Sequence, residues 1–472
     1  VQTQSDALCR ELQVNQVPHL EITNNSFKTE DSMSQVRDVD ALVKKLIETD
    51  EISTKQNIVS EIFAMAREKK IFLSSIHDLY IARGEGRCPG GFTVPAINLR
   101  NMTYYLARAI FRVAKRHDAG AFIFEIAKSE MGYTAQPPIE YTGVILAAAV
   151  REGHSGPVFI QGDHCQINAK MYAVDPLKEV MSIKHLLEDA ISAGFYNIDV
   201  DSSTIVDLNK KDIREQQRAN FEVCAGLTKY IREIQPKGMT VSVGGEIGEV
   251  GGKNSTVEDL KAFMDGYLES LPPGMIGISK ISIQTGTSHG GIVLPDGTIA
   301  QVKVDFDTLK NLSKYAREEY RLGGAVQHGA STLPAAAFGK FSECDAVEIH
   351  LATQFQNMMF DSAHFPKELK EKMYDWTRKN CKEEMKPGLT DDQFIYKTRK
   401  KALGPFKKEI MSMPVPVIDK ITQEIEAKFE FLFKQLKVTN TKKLVNTHIK
   451  PKDVGLGLNK AAKAVLDGEG DD

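Results

Sequence analysis

Eight short, β-rich apolar runs alternate with longer amphipathic segments between residues 92 and 353. Alternation of this kind implies parallel strands joined by helical crossovers. Eight such units in succession predict an α/β fold, a TIM (β/α)8 barrel, here with helical N- and C-terminal extensions. A third observation argues against an open doubly wound sheet. That fold would carry a glycine-rich dinucleotide turn after its first strand, and the chain offers PAINLRN there.

Residues 1–38 are polar and show no clear periodicity. From Asp40 onward, Leu42, Val43, Leu46 and Ile47, then Ile58, Ile62, Phe63 and Met65, fall at helical spacing. Residues 1–90 are therefore expected to be a helical lead-in that ends in the glycine cluster GRCPGG. The barrel is expected over 91–360. Its strand candidates are FTVPAINL (92–99), AFIFEI (121–126), PVFIQGD (157–163), YNIDVD (196–201), TVSVGGEI (240–247), ISKISIQT (278–285), GAVQHGA (324–330) and AVEIHLAT (346–353). Helices are expected at 101–117, 139–152, 175–193, 212–233, 256–270, 307–322 and 333–339. Beyond residue 354 strand signals stop. Residues 361–472 read as charged helices over 371–385, 391–413 and 416–438, broken at Pro387, Pro414 and Pro416. The expected work of both extensions is packing on the barrel ends and assembly into a homo-oligomer.

The totals narrow the function. Sixty Lys and Arg against 63 Asp and Glu leave a net charge of −3, which speaks against a nucleic-acid partner. No apolar run reaches about 18 residues, so no membrane span is expected. Six cysteines are scattered without a CxxC pair, which suits a reducing compartment better than a disulfide framework. The stretch VQTQSDALCRELQ lacks the basic-then-apolar pattern of a secretory signal. The expected location is cytoplasmic.

Chemistry gathers at the strand ends. QGDHC places Asp163 and His164 there, VGGEIGEVGG places Glu246, QTGTSHGG places His289, and AVQHGAST places His328. Imidazole and carboxylate groups at one end of neighbouring strands face a single mouth, and three nitrogens with an open fourth position suit a catalytic Zn²⁺. Gly162, Gly290, Gly291 and Gly329 flank the histidines and let backbone approach a ligand. Loops after the seventh and eighth strands of such barrels commonly cradle phosphate. Here those loops offer Gly329, Ala330, Ser331 and Thr353, with Ser331 and Thr332 also placed to cap a helix.

Taken together and in order, GFTVPAIN, QGDHC, IDVDSS, GGEIGEVGG, GTSHGG, QHGAS and IHLAT resemble the class II, zinc-dependent fructose-bisphosphate aldolases and their tagatose-bisphosphate relatives. The resemblance covers residues 90–355 and implies reversible cleavage of a phosphorylated sugar, a ketose bisphosphate, into dihydroxyacetone phosphate and glyceraldehyde 3-phosphate. It implies Zn²⁺ or a similar divalent ion on His164, His289 and His328, with Glu246 and Asp199 at a second or alternative metal position. A monovalent cation is implied as well. Asp163 is implied to be the acid/base at the scissile carbon. Gly290, the Gly329–Ala330–Ser331 segment and the His350–Ala352–Thr353 segment would hold the dihydroxyacetone phosphate part, with Ser129 and Asn98 lining the site.

The chain departs from the family pattern in three places. Lys253-Asn254-Ser255 follow the strand-5 glycines where acidic residues and a long loop glutamate are usual, leaving Glu249, Glu348 or an extension residue as candidates for that glutamate's work. His350 stands for Asn, and Thr332 for a second glycine. These changes bear on the substrate more than on the reaction, so a tagatose-bisphosphate or other phosphorylated-ketose aldolase is the alternative. A non-catalytic subunit that stabilises an aldolase would be expected to lose Asp163 or a histidine, and none is lost.

Overall fold

The apolar runs form strands because their residues are buried on both faces, as parallel strands covered by helices require. The computed structural model describes residues 38–247, 253–286 and 303–457. Its strands are β1 (Ile71–Ser74), β2 (Val94–Asn98), β3 (Ile123–Ala127), β4 (Gly156–Gln166), β5 (Asn197–Asp201), β6 (Ser242–Glu246), β7 (Lys280–Ile283), β8 (Ala325–Gln327) and β9 (Glu348–Leu351). Strands β2 to β9 pair in sequence order, all parallel, and β9 pairs back with β2. The expected eight-stranded barrel is closed.

Every crossover is helical. The helices Thr103–Arg116, Pro138–Glu152, Pro176–Ser192, Ile213–Ile234, Val257–Ser270 and Phe306–Tyr320 match the expected positions to within a few residues. The exception follows β8. Instead of a helix over 333–339, a 3-10 turn at Ala335–Ala337 leads into Phe338–Glu343. Pro334 disfavours helical backbone at Leu333 and delays the start. Ser331 therefore caps no helix and is left to face the barrel mouth.

The lead-in contributes more than helices. Val39–Glu48 and Ile52–Glu68 are helical, but Ile71–Ser74 form β1, which runs parallel to the N-terminal half of β4. β1 stops where β5 begins: Asn197 Nδ2 donates to Ser74 O at 3.2 Å, and Ile76 N donates to Asn197 Oδ1 at 2.8 Å. The two lead-in helices press on Pro138–Glu152, where a Cβ on Gly143 would lie 2.6 Å from Val59 Cγ2. Lys55 is buried against Glu140 there.

After β9 the chain is helical, chiefly Thr353–Asp361, Lys367–Asn380 and Val415–Gln435. The stretch expected as one helix over 391–413 is divided into Asp391–Thr398, a 3-10 turn Arg399–Ala402 and Lys407–Met411, because Gly404-Pro405 interrupts it. Val415–Gln435 lies along Thr103–Arg116, with Arg112 and Arg116 both on Glu426. Its end reaches the strand starts: Thr93 N donates to Leu436 O, and Gly120 N to Thr441 Oγ1. Residues 436–441 thus close the barrel end opposite the functional one. Val59, Ile62, Phe429 and Leu432 share one continuous core with the barrel strands. Among the described residues, Cys88, Cys165, Cys224, Cys344 and Cys381 are unpaired and buried. No helix of the described residues is long and apolar enough to cross a membrane.

Candidate active site

The C-terminal ends of β2, β4, β8 and β9 line a cavity of about 360 Å³. Into it project Asn98, Asp163, His164, His328, His350 and Thr353, all buried. The expected residues Gly329, Ser331 and Ala352 also line it. Ala330 is buried at its edge, and Ser129 is buried beside Glu130, which does face the cavity. His289 and Gly290 lie outside the described residues, as does Glu249.

A strand sends adjacent residues to opposite faces, yet Asp163 and His164 face the same cavity. Between Gly162 and Cys165 the register of β4 with β5 shifts by a bulge, and His164 adopts a left-handed φ of +40°. This is the local distortion by which bulges re-aim side chains next to active sites. Gly329, at φ +66°, makes the second turn that L side chains adopt rarely.

Carboxylates surround His164, while His328 Nε2 lies 2.9 Å from Ser282 Oγ. His164 Nδ1 is 3.5 Å from Asp201 Oδ2 and 3.8 Å from Glu246 Oε2, and its Nε2 is 3.6 Å from Asp163 Oδ1. Burial opposes a charged His164, but Asp163, Asp201 and Glu246 outweigh it and raise its pKa well above the usual value. Asp163 shows the converse. Burial disfavours its charge, while His164 and His350 hold it well below the usual carboxylate range. Glu246, buried and beside Asp201, is pushed well up. The His164 and His328 rings lie 4.3 Å apart, centroid to centroid. Ligand atoms of Asp163, His164 and His328 fall within 4.8 Å of one another, as do those of His164, Asp201 and Glu246. Two nitrogens among acid groups that call for positive charge form a donor set suited to a divalent ion such as zinc.

Asp199, expected beside Glu246, lies one strand step deeper. Its carboxylate pairs with Lys280 Nζ at 2.9 Å, and Asp201 takes the position next to His164. Gly244 makes room for that pair, since a Cβ there would stand 2.3 Å from Asp199 Oδ1 and 2.9 Å from Lys280 Cε. Lys280 is fully buried and also meets Glu348 and Gln161. Burial opposes its charge, but Asp199 and Glu348 outweigh it and raise its pKa. Glu348, one of the candidates for the missing loop glutamate, is held in this floor by Lys280, Tyr80, Gln161 and His350. Glu125 lies there too, pushed well up by burial and by Asp163.

Above the floor, Asp163 is held from two sides. Asn98 Nδ2 donates to its Oδ2 at 2.9 Å, and His350 Nδ1 lies 3.0 Å from its Oδ1. Asn98 also donates to Glu130 Oε2 at 2.8 Å. Glu130 in turn accepts from Arg100, whose Nη1 donates to Thr353 Oγ1 at 3.2 Å. Sequence reasoning did not single out Asp201, Glu130, Arg100 or Glu125. Asp201 carried a signal, being two residues from Asp199 and so on the same strand face.

A closed (β/α)8 barrel with acids and imidazoles converging at the C-terminal ends of its strands has its functional groups where barrel enzymes carry their chemistry. The chain belongs to the class II fructose-bisphosphate aldolase family, whose model matches residues 88–410. Comparison with curated proteins finds no sequence match. Among solved structures, a "probable tagatose 6 phosphate kinase" from Sinorhizobium meliloti 1021 is 12% identical with a TM-score of 0.52, covering 75% of this chain and 99% of that one. A fructose-bisphosphate aldolase from Campylobacter jejuni is 15% identical with a TM-score of 0.43, covering 79% and 98%. The YdjI aldolase from Escherichia coli K12 is 13% identical with a TM-score of 0.40, covering 71% and 96%.

Proposed function

We propose that this chain is a metal-dependent aldolase that reversibly cleaves fructose 1,6-bisphosphate to dihydroxyacetone phosphate and glyceraldehyde 3-phosphate. The observation that carries this reading is the grouping of Asp163, His164 and His328 at one barrel mouth, within a chain of this family. His164 and His328, with His289 of the GTSHGG segment, would hold the divalent ion, and Glu246 and Asp201 would serve as further ligands. When bound, such an ion supplies Lewis-acid stabilisation of the negative charge that aldol cleavage leaves on the ketone fragment.

The chain's own residues do the rest. Asp163 takes the proton from the hydroxyl at the scissile carbon during cleavage and returns it during condensation. Its low pKa in this charge environment keeps it a carboxylate, and Asn98 and His350 fix its two oxygens. The phosphate of the dihydroxyacetone part sits against Gly329, Ala330, Ser331 and Thr353. Thr353 opens the helix Thr353–Asp361, so main-chain N–H groups face that phosphate. Ser129, buried next to the cavity-lining Glu130, and Gly290 would add to the substrate contacts, and a monovalent cation would add positive charge there. The departure at His350 bears on the substrate, and the alternative reading is an aldolase for tagatose bisphosphate or a similar ketose.

Purified protein assayed with fructose and tagatose bisphosphates side by side tests both. Chelator is expected to abolish cleavage and Zn²⁺ to restore it, and the preferred sugar decides between the two ketoses. Chelator-resistant turnover that borohydride traps would overturn the metal-dependent reading in favour of a lysine imine.

A further inference from the structure

The geometry points to Arg100 as the residue that reads the phosphate on the ketone end of the substrate, linked through Glu130 and Asn98 to the carboxylate of Asp163. This inference rests on the aldolase reading of the site and adds to it a specificity-determining residue and two positioning residues.

Arg100 lies two residues beyond Asn98 and lines the same cavity as Gly329, Ser331 and Thr353. Its side chain is 7% exposed. A buried guanidinium at a cavity wall requires partners, and Glu130 and Thr353 are among them. Nε is bound to Glu130 Oε1, and Nη1 reaches Thr353 Oγ1. A threonine hydroxyl that accepts from a guanidinium retains its own proton to donate. Guanidinium, hydroxyl and the N–H groups at the start of Thr353–Asp361 thus converge on one side of the cavity. Planar guanidinium is the side chain best matched to phosphate oxygens.

The other end of Arg100 gives the arrangement its second role. Glu130 accepts from Arg100 on Oε1, and from Asn98 Nδ2 and Ala127 N on Oε2, at 2.8 and 2.9 Å. Asn98 spends the same Nδ2 on Asp163 Oδ2. The chain Arg100–Glu130–Asn98–Asp163 is continuous and buried throughout. A dianion seated on Arg100 fixes the guanidinium, and that order reaches the carboxylate that moves the proton. Binding energy from a non-reacting phosphate is in this way expressed at the reacting centre. The substrate class that follows is a ketose phosphorylated on the carbon that leaves with the ketone fragment.

The test compares metal-loaded wild type with Arg100→Met, Arg100→Lys and Asn98→Ala on fructose 1,6-bisphosphate and on fructose 6-phosphate, which lacks the phosphate in question. Arg100→Met is expected to lower kcat/KM for the bisphosphate by about 10–100-fold, the size of one lost charge-assisted contact. The preference between the two sugars should collapse with it, and Arg100→Lys should recover part of that preference. Inorganic phosphite added with fructose 6-phosphate should accelerate wild type and leave Arg100→Met unaffected. Asn98→Ala should still bind inorganic phosphate in calorimetry but lose the acceleration by phosphite. Equal losses on both sugars in Arg100→Met would reduce Arg100 to a structural role and overturn the inference. Calorimetry with inorganic phosphate separates the two levels. If wild type cleaves neither sugar yet Arg100→Met binds phosphate at least tenfold more weakly, the aldolase reading falls and the assignment of Arg100 stands. If the sugars are cleaved and phosphate binding is unchanged in the variant, the assignment falls and the aldolase reading stands.

Discussion

His350 Nδ1 lies 3.0 Å from Asp163 Oδ1, and the opposite ring nitrogen lies 2.7 Å from Glu348 Oε1. The imidazole thereby joins the acid at the cavity to the ion network in the barrel floor. Burial opposes its charge, but Glu125, Asp163 and Glu348 raise its pKa well above the usual value. Replacing His350 by Ala removes one cation from among the buried carboxylates of Glu125, Asp163, Asp199 and Glu348. The expected cost is about 3–5 kcal/mol, as for other broken buried pairs, with loss of turnover alongside. Urea unfolding of His350→Ala at neutral pH measures it, and a midpoint equal to wild type would contradict the charge assignment.

Asp163 and His164 are neighbours in sequence with different assigned work. Asp163→Ala should retain bound metal and lose cleavage by about 10²–10⁴-fold, the usual worth of a positioned proton carrier. Metal content by atomic absorption and turnover on the same preparation distinguish the two. Full turnover would remove Asp163 from its role.

The barrel floor predicts a stability effect far from solvent. Lys280→Met strands Asp199 and Glu348, and should cost about 3–5 kcal/mol. Gly244→Ala forces a methyl against the same ion pair, and overpacking of this kind costs about 1–3 kcal/mol. Because the two substitutions act on one contact, the double variant should lose less than the two losses added together. Additive losses in a thermal denaturation series would disprove a shared origin.

His77, at the start of the helix His77–Gly84, is buried and 5% exposed. Burial, with Arg232 nearby, lowers its pKa from 6.5 to about 4. The sign follows directly. Above pH 6.5 the imidazole is neutral in both folded and unfolded chains. Between pH 6.5 and 4 only the unfolded chain takes up the proton, so stability falls as pH falls through that window. The loss should approach about 3 kcal/mol at its lower end. His77→Gln should remove this share of the slope. An unchanged pH dependence of the melting temperature in that variant would exclude His77 as its source.

The strands and their order were legible because a parallel strand, buried on both faces, must read as an apolar run. The placing of Asp163, His164 and His328 at one mouth was legible for another reason, since Gly162 precedes the first two at the end of one run and Gly329 follows His328 at the end of another. β1 was not. IFLS follows two helices and pairs with one half of one strand, so nothing in its four residues separates it from the end of a helix. Lys280 was visible within its strand but not its role. Partners at Asp199 and Glu348, on different strands, are brought to it only by closure of the barrel. Arg100 and Glu130 were missed because one follows β2 and the other lies in the short helix Lys128–Tyr133 after β3, and no spacing within either segment reports that they meet. Asp201 was passed over for Asp199 because both point inward, and only the bulge in β4 determines which of them His164 meets.

That bulge has a consequence for how the site can diverge. Alternation normally allots a strand's inward groups every second residue, so two groups from one strand stand two peptide units apart. In β4 Asp163 and His164, the proposed proton carrier and the proposed ligand, are separated by a single peptide unit, and covalent geometry rather than packing between strands sets their distance. Neighbouring strands can shift register, and loops can lengthen or shorten, without altering it. A change of substrate in such a barrel has to be written into the other strand ends, while the Asp163–His164 pair stays a fixed unit of length.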